Sequence, residues 1–309
     1  MGNDMNSESG DNKGIGLRNI LFVAQKEFAD NVTNSMFLLL TATYLLIIFT
    51  FSYRSVILDT SLKYGLYEDF ILLSVFGGLI EQVGWFIPLI GIALGFNTVI
   101  KERKSGSLNV LLTHPVFRDN IIAGKLLGIT GVIAFVIMST VVISSGTLIA
   151  MLGIQVSLME ITRIALFSVF TLFYALIYAG IAVLISTVVY EATNSLIYNV
   201  AIWILTCIFT GSIMETLSDL LTKAGIDLKA SELIMISPLH YYSKITQGTA
   251  DMSFLGVGVQ YEIDGILDAQ FTLAQWFNTF WTDITAILII PIILLFASFI
   301  MFMRQDITL

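Results

Sequence analysis

Side chains that perform acid–base or metal chemistry are few in this sequence of 309 residues. The only histidines are His114 and His240, and the only cysteine is Cys207. The sequence therefore has no HEXXH pair for zinc, no thiolate cluster and no intrachain disulfide. A nucleophile at Ser144 or Ser145 would need a nearby base, and both histidines lie outside the long apolar stretches. The GXXXXGK(S/T) phosphate loop is also missing, so we expect no catalytic, metal or cofactor-binding residues in this chain.

The composition is that of a membrane protein. Hydrophobic residues make up 56% of the chain and charged residues 12%, whereas about a quarter of the residues in soluble domains are charged. The mean hydropathy is +0.87. An ordinary soluble domain is therefore excluded, and the length depends on how many times the chain crosses a bilayer. The formal net charge of −8 argues against a nucleic-acid partner.

Six stretches between charged residues are long enough to cross a bilayer, which takes about 20 apolar residues in a helix. They lie between Asp30 and Arg54, Glu81 and Lys101, Lys125 and Glu160, Arg163 and Glu191, Glu191 and Glu215, and Asp283 and Arg304. Barrel strands would instead alternate in segments of about ten residues. The sequence therefore predicts an all-α integral membrane protein with six transmembrane helices. The charged residues that bound these stretches are predicted to lie at the membrane interface.

The distribution of basic residues predicts the orientation. The loop between the second and third spans, residues 101–125, carries five basic and two acidic residues, whereas the segment from Glu215 to Asp283 carries three basic and nine acidic residues. Cytoplasmic loops retain lysine and arginine. We therefore expect the 101–125 loop and both termini in the cytoplasm, and a long extracytoplasmic segment between helices 5 and 6.

These predictions divide the chain into consecutive parts. Apolar residues recur at helical spacing from Leu17 to Val32 and predict an N-terminal interfacial helix, with a helix packed on protein as the alternative. The parts are a polar cytoplasmic tail (1–16), the interfacial helix (17–33), transmembrane helices 1–5 with the cytoplasmic loop 101–125 (34–213), an extracytoplasmic segment (214–282), and transmembrane helix 6 with the cytoplasmic C-terminus (283–309).

Two further patterns concern contacts between helices. The GXXXG spacings at Gly91 and at Gly124 would let helices approach closely. Tyrosines within the apolar stretches, among them Tyr174 and Tyr178, either line a polar path or form hydrogen bonds between helices. We favour hydrogen bonds between helices.

The loop between the second and third spans is the candidate functional element. Ser107 can cap a short helix that carries Leu108, Leu111 and Leu112, and Pro115 ends this helix. The result is a small apolar surface, flanked by basic residues, on the predicted cytoplasmic face. Such a surface needs a partner. On these residues alone, packing against the rest of the bundle and docking of another protein are equally open.

The same loop resembles the loop of type-2 ATP-binding-cassette (ABC) permeases. That pattern has a glutamate, then glycine with serine or threonine and leucine, a leucine pair, a proline, an arginine and a Gly-Lys pair. The matching residues, in order, are Glu102, Gly106, Ser107, Leu108, Leu111, Leu112, Pro115, Arg118, Gly124 and Lys125. Residues 25–28 before the first span and 304–307 after the sixth also agree with the family.

The resemblance implies the permease subunit of an ATP-driven exporter in the cell (plasma) membrane. A separate ABC ATPase subunit would bind ATP and Mg²⁺, and this chain would bind neither. The complex would contain a second permease chain, as a homodimer or heterodimer, and would contact membrane lipid. The ten matching residues would form the ATPase-coupling site, in which Glu102 and Arg118 hold the two ends of the short helix by charge.

Two other functions fit the composition. One is a non-transporting membrane anchor, assembly factor or sensor that reads a signal through its acidic outer segment. The other is a secondary carrier, which usually keeps an ionisable group inside a span to bind the coupling ion. The uncharged interiors of the six stretches disfavour the carrier.

Overall fold

The structure is a computed structural model that describes six parts of the chain, and every regular element in them is helical. The described residues are 5–58, 71–104, 118–223, 234–248, 265–268 and 271–304. The α-helices, numbered in chain order, are α1 (Met5–Val32), α2 (Ser35–Leu58), α3 (Ile71–Gly77), α4 (Ile80–Gly95), α5 (Thr98–Lys104), α6 (Arg118–Leu152), α7 (Leu158–Val188), α8 (Ala192–Trp203), α9 (Thr210–Lys223), α10 (Pro238–Gln247) and α11 (Leu273–Met303). A π-helix, Ile204–Phe209, joins α8 to α9.

Within the described parts of the chain, six helical stretches are long and apolar enough to cross a membrane. They are Ser35–Ile57, Ile80–Lys104, Asp119–Leu152, Leu158–Val188, Ala192–Phe209 and Leu273–Met303. Each corresponds to one of the stretches between charged residues. The predicted fold class, an all-α membrane protein with six transmembrane helices, is confirmed.

The sixth spanning helix begins earlier than the sequence placed it. The charge pattern places the start of this span at Asp283, whereas Thr272 caps a helix whose first turn contains Gln275. The Thr272 hydroxyl accepts a hydrogen bond from the Gln275 backbone, and the Gln275 side chain accepts one from the Thr272 backbone, which is a capping box. A kink at Phe280 separates these first turns from the apolar remainder. Asp283 is accommodated inside the helix because Lys244 lies 3.8 Å from its carboxylate.

The fourth spanning helix, α7, packs closely against the second. A Cβ atom on Gly91 would lie 2.6 Å from the Ala175 carbonyl oxygen, and one on Gly95 would lie 2.7 Å from that of Ala179. Only glycine permits this separation between the two backbones. The first GXXXG spacing therefore seats α4 on α7.

The second GXXXG spacing seats α1 on the start of α6. A Cβ atom on Gly124 would lie 2.6 Å from Val23 Cβ, and the Phe28 ring packs edge-on against Phe135. Leu17 and Leu21 of α1 are exposed. The predicted helix is present and packs on protein along one side, while its position at a membrane surface stays a prediction.

Several of the charged residues at the ends of the spans are more enclosed than we expected. The buried ones are Glu81, Lys125, Glu160, Arg163 and Asp283, whereas Asp30, Arg54, Lys101, Glu191 and Arg304 are exposed. Glu160 is buried because its carboxylate accepts a hydrogen bond from the Ser157 backbone and completes the cap of α7. Neighbouring helices shield these groups from solvent, which the order of charges along the sequence does not reveal.

A short helix, α10, packs into the end of the bundle that is opposite to α1. Its cap, Ser237, accepts a hydrogen bond from Leu239, Pro238 fills the first helical position, and Gly248 ends the helix with φ 74°. The helix is mostly buried and contacts α4, α7 and α11.

Candidate functional site

The residues on either side of segment 105–117 meet in one ion cluster. Lys125 Nζ lies 2.8 Å from Glu27 Oε2 and 3.0 Å from Glu102 Oε1. The three residues belong to three different helices: Glu27 to α1, Glu102 to α5 before the segment, and Lys125 to α6 after it. We call these three side chains the ion cluster. A single cation therefore joins both ends of the predicted coupling loop to the N-terminal helix.

The Gly-Lys pair at 124 and 125 explains how the ion cluster is built. Gly124 has no side chain, so the backbone of α1 can approach α6 at Val23 and Ile20. This approach places Glu27 beside Lys125, since Glu27 lies one helical turn beyond Val23. Asn31 lies a further turn along and donates a hydrogen bond from its side chain to the Glu27 backbone carbonyl at 2.9 Å. The glycine and the lysine thus act together.

The ion cluster is shielded from solvent. The Lys125 side chain is 8% exposed, and the two glutamates are 18% and 21% exposed. Removing one partner of a buried ion pair leaves an uncompensated charge and costs up to about 3–5 kcal/mol. Two carboxylates flank the one ammonium group, so loss of the lysine would also leave two like charges close together. The cluster therefore depends on Lys125 more than on either glutamate.

The neighbour of Glu102 attaches the same helix to the fourth span. Arg103 donates hydrogen bonds to the backbone carbonyls of Val189, at 3.1 Å, and Thr187. Its guanidinium group also lies over the Tyr190 ring, 4.9 Å from the centroid. The last carbonyls of a helix lack partners within the helix and carry partial negative charge. Arg103 therefore caps the C-terminal end of α7.

The structure places some of the predicted coupling residues and not others. Glu102, Gly124 and Lys125 come together in the ion cluster. Arg118 begins α6, but its side chain lies outside the described residues, as does the predicted short helix as a whole. The remaining predicted residues outside the described parts are Gly106, Ser107, Leu108, Leu111, Leu112 and Pro115.

Two residues of the site were missed by the sequence analysis. Glu27 lies in the segment at 25–28, which was noted only as agreeing with the family, and Arg103 was treated as one of several basic residues beside the loop. The partners of Arg103 are backbone carbonyls far along the chain, so no spacing in the sequence indicates them. The Gly-Lys pair was the available signal for Glu27. The glycine allows a second helix to pack closely beside the lysine, and a carboxylate on that second helix would then pair with the lysine.

The described residues of this site hold neighbouring helices together. Charge pairs and carbonyl contacts tie α5 to α1, α6 and α7 around the point where the chain enters and leaves the 105–117 segment. A displacement of that segment would therefore reach several helices at once.

Comparison with known proteins identifies the family. A family model described as ABC-2 family transporter protein matches residues 21–307, a range that includes the ion cluster and all six spanning helices. No curated protein is similar enough to add a closer relative. The chain belongs to the ABC-2 transporter family and is a multi-pass membrane protein, the permease subunit of an ABC transporter.

Proposed function

We propose that this permease serves an ATP-driven exporter and that a separate ATPase subunit drives it through the loop between the second and third spans. The observation that carries the proposal is the bridge from Glu27 through Lys125 to Glu102. Both stems of the loop are fixed to one cation, so a partner that moves the loop moves the stems together. Leu111 and Leu112 would seat in a groove of the ATPase, with Arg118 beside them.

The bridge also supports a route for the movement into the membrane. Lys125 connects the loop to α1 and α6, and Arg103 connects it to the end of α7. The second, third and fourth spans would therefore respond to one displacement. Coupling of this kind needs contiguous, well-packed contacts between elements, and the close approach of α4 to α7 at Gly91 provides one.

In this proposal the loop faces the cytoplasm of a cell whose plasma membrane holds the protein. The excess of basic residues in the loop supports this orientation. Six spans would put both chain ends on one side, and the contact of Glu27 with Lys125 supports a position of the N-terminal helix at the end of the bundle that carries the loop. ATP and Mg²⁺ would be bound by the ATPase on that side.

A second permease chain, identical or different, would complete the pathway. The fifth span supports this part of the proposal because it exposes Ile197, Tyr198 and Leu205 along one side. Membrane lipid would cover the spanning surfaces that the second chain leaves open.

The proposal is tested by co-purification of the ATPase. The double variant Leu111→Asp with Leu112→Asp should lose the ATPase, because two carboxylates cannot enter an apolar groove without a large desolvation cost. The matched control is Asn109→Asp with Thr113→Asp, which adds the same charge to the loop and keeps both leucines. Undiminished co-purification of the leucine variant would contradict the proposal, whereas loss in both variants would assign the effect to charge alone.

A further inference from the structure

Arg163 anchors the chain at the end of the bundle opposite to the ion cluster. The residue lies near the start of α7 and is 0% exposed. Its guanidinium group donates hydrogen bonds to the backbone carbonyls of Ile266, at 2.7 Å, and Phe271. The charge of Asp268 also acts on it. Arg163 therefore holds the stretch of chain that leads into the sixth spanning helix.

That stretch is fastened in turn to α10. The Ile266 backbone donates a hydrogen bond to the Ile245 carbonyl at 3.1 Å, and the Trp276 indole donates to the same carbonyl at 3.0 Å. Gly265 lies against the Thr246 backbone, so closely that a Cβ atom there would overlap it. We call α10 and residues 265–268 together the end plug.

The end plug reaches into the bundle through one tyrosine. The Tyr242 ring stacks on the Tyr174 ring of α7 with a centroid distance of 4.4 Å. The Tyr242 hydroxyl lies 3.0 Å from Thr171 Oγ1, and Tyr174 donates a hydrogen bond to the Gly84 carbonyl of the second span. The plug thus packs against both the second and the fourth spans at this end.

A polar layer lies directly beneath the end plug. Cys207 Sγ lies 3.1 Å from the Tyr178 hydroxyl and 3.7 Å from that of Tyr174. Ser237, the cap of α10, donates a hydrogen bond to the Thr206 carbonyl at 2.6 Å. Cys207 and Thr206 both belong to the π-helix of the fifth span.

The fourth span connects this end of the bundle to the ion-cluster end. Arg103 holds the Thr187 carbonyl at the C-terminal end of α7, and Arg163 lies near its other end. At 1.5 Å per residue, the two positions are about 36 Å apart. Because α7 is one continuous helix, a displacement of its Arg103-bound end also displaces Arg163.

We propose that Arg163 is a positioning residue that latches the end plug shut over the polar layer, and that transport requires its two carbonyl contacts to be released. The inference rests on the proposed function, because the ATPase would supply the displacement of α7. The guanidinium group suits a latch, since its two nitrogens hold two carbonyls on either side of residues 269–270, and both bonds break when α7 shifts relative to the plug.

Cys207 provides a built-in reporter of the latch. It is the only cysteine in the chain, it is 6% exposed, and it lies under the plug. The probe is a membrane-impermeant maleimide added to the full permease–ATPase complex in sealed vesicles, on the side of the plug. Wild-type Cys207 should react slowly without ATP and faster during ATP turnover.

Substitution of Arg163 should open the plug without ATP. Arg163→Met removes both donors and keeps an unbranched, apolar side chain at this position. Its Cys207 labelling rate should rise at least about tenfold, because each hydrogen bond to a charged group contributes roughly that factor. Arg163→Lys should give an intermediate rate, since one ammonium group cannot reach both carbonyls. The matched control is Ser186→Ala, at a buried position of α7 whose hydroxyl bonds only to Val183 of the same helix, and its labelling rate should equal that of the wild type.

The outcomes separate the latch from the coupling loop. A folded Arg163→Met protein with wild-type labelling would overturn the latch, as would a wild-type complex whose labelling is unchanged by ATP turnover. If Arg163→Met does not fold, the Cys207 labelling rates of Arg163→Lys and of the wild-type complex test the latch. Labelling of the Arg163 variants needs no ATPase, so the latch can hold while the leucine test of the coupling loop fails, and the reverse can also occur.

Discussion

The ammonium group of Lys125 lies 2.8 Å from a carboxylate oxygen of Glu27. This contact ties the N-terminal helix to the helix that leaves the 105–117 segment. Glu102, at 3.0 Å from the same nitrogen, brings the other stem of the segment to the same point. The N-terminal helix is therefore part of the structure that supports the loop, and changes in α1 should affect coupling.

Replacing Lys125 should weaken the base of the loop. Lys125→Met leaves Glu27 and Glu102 facing each other without a cation, which should cost up to about 3–5 kcal/mol because the cluster is shielded from solvent. Thermal unfolding of the purified protein should show a lower midpoint, and ATPase co-purification should fall. The control is Lys26, an exposed lysine next to Glu27 in the sequence. Lys26→Met should unfold like the wild type. A Lys125→Met protein as stable as the wild type would show that the ion cluster is not a support.

Gly124 should be intolerant of even one added methyl group. In Gly124→Ala the new Cβ would lie 2.6 Å from Val23 Cβ, so α1 must move, and overpacking of this kind costs about 1–3 kcal/mol. Gly146 on the same helix has nothing within 4 Å of an added Cβ. Gly146→Ala should therefore leave the unfolding midpoint unchanged or raise it slightly through better helix propensity. Equal midpoints for the two variants would contradict the close seating of α1 on α6.

Arg103 should control local opening at the end of the fourth span. Arg103→Gln removes the donors that bond to the carbonyls of Thr187 and Val189. Amide hydrogen exchange in residues 187–191 should become faster, since a helix end without its cap frays more readily. Lys104→Gln removes a neighbouring exposed charge and should leave exchange in that segment unaltered. If Arg103→Gln exchanges at the wild-type rate there, the cap does not stabilise α7.

The Ser237 hydroxyl should stabilise the π-helix of the fifth span. In Ser237→Ala the Thr206 carbonyl loses its partner at 2.6 Å and keeps the Thr210 hydroxyl at 2.9 Å, so the cost should be that of one hydrogen bond, about 0.5–1.5 kcal/mol. The control is Thr222→Ala, at an exposed position of α9 whose hydroxyl bonds only within its own helix, and its cost should be within about 0.5 kcal/mol. Unfolding midpoints measured in the same detergent compare the two variants. A negligible effect of Ser237→Ala would show that another group satisfies the carbonyl.

The six spanning helices were predictable because hydrocarbon excludes charge, so the boundaries of a span appear directly in the sequence. The sixth span is the informative exception. Asp283 was taken as an end, but its contact with Lys244 lets the helix extend to Leu273. Packing decides which distant charged residues form a pair, and the order of charges along the sequence does not show it.

The candidate site was predictable only in outline. The resemblance of the loop to the family indicated Glu102 and Lys125, yet it did not show that they bind each other or that Glu27 joins them. Arg163 was also not predictable. The sequence around an arginine at the edge of an apolar stretch looks the same whether its side chain faces water or two backbone carbonyls, and only the fold distinguishes the two cases.

A cytoplasmic ATPase can bind the loop only if Leu111 lies on the cytoplasmic side of the membrane. A single cysteine at this position, Leu111→Cys in a Cys207→Ser background, can be probed in sealed right-side-out vesicles and in the complex. We expect no reaction of this cysteine with an impermeant thiol reagent added outside the vesicles. In the complex, we expect a disulfide-length cross-link between the cysteine and the ATPase on the inner side. Reaction from outside, with no cross-link to the ATPase, would contradict the assignment of this loop as the coupling site.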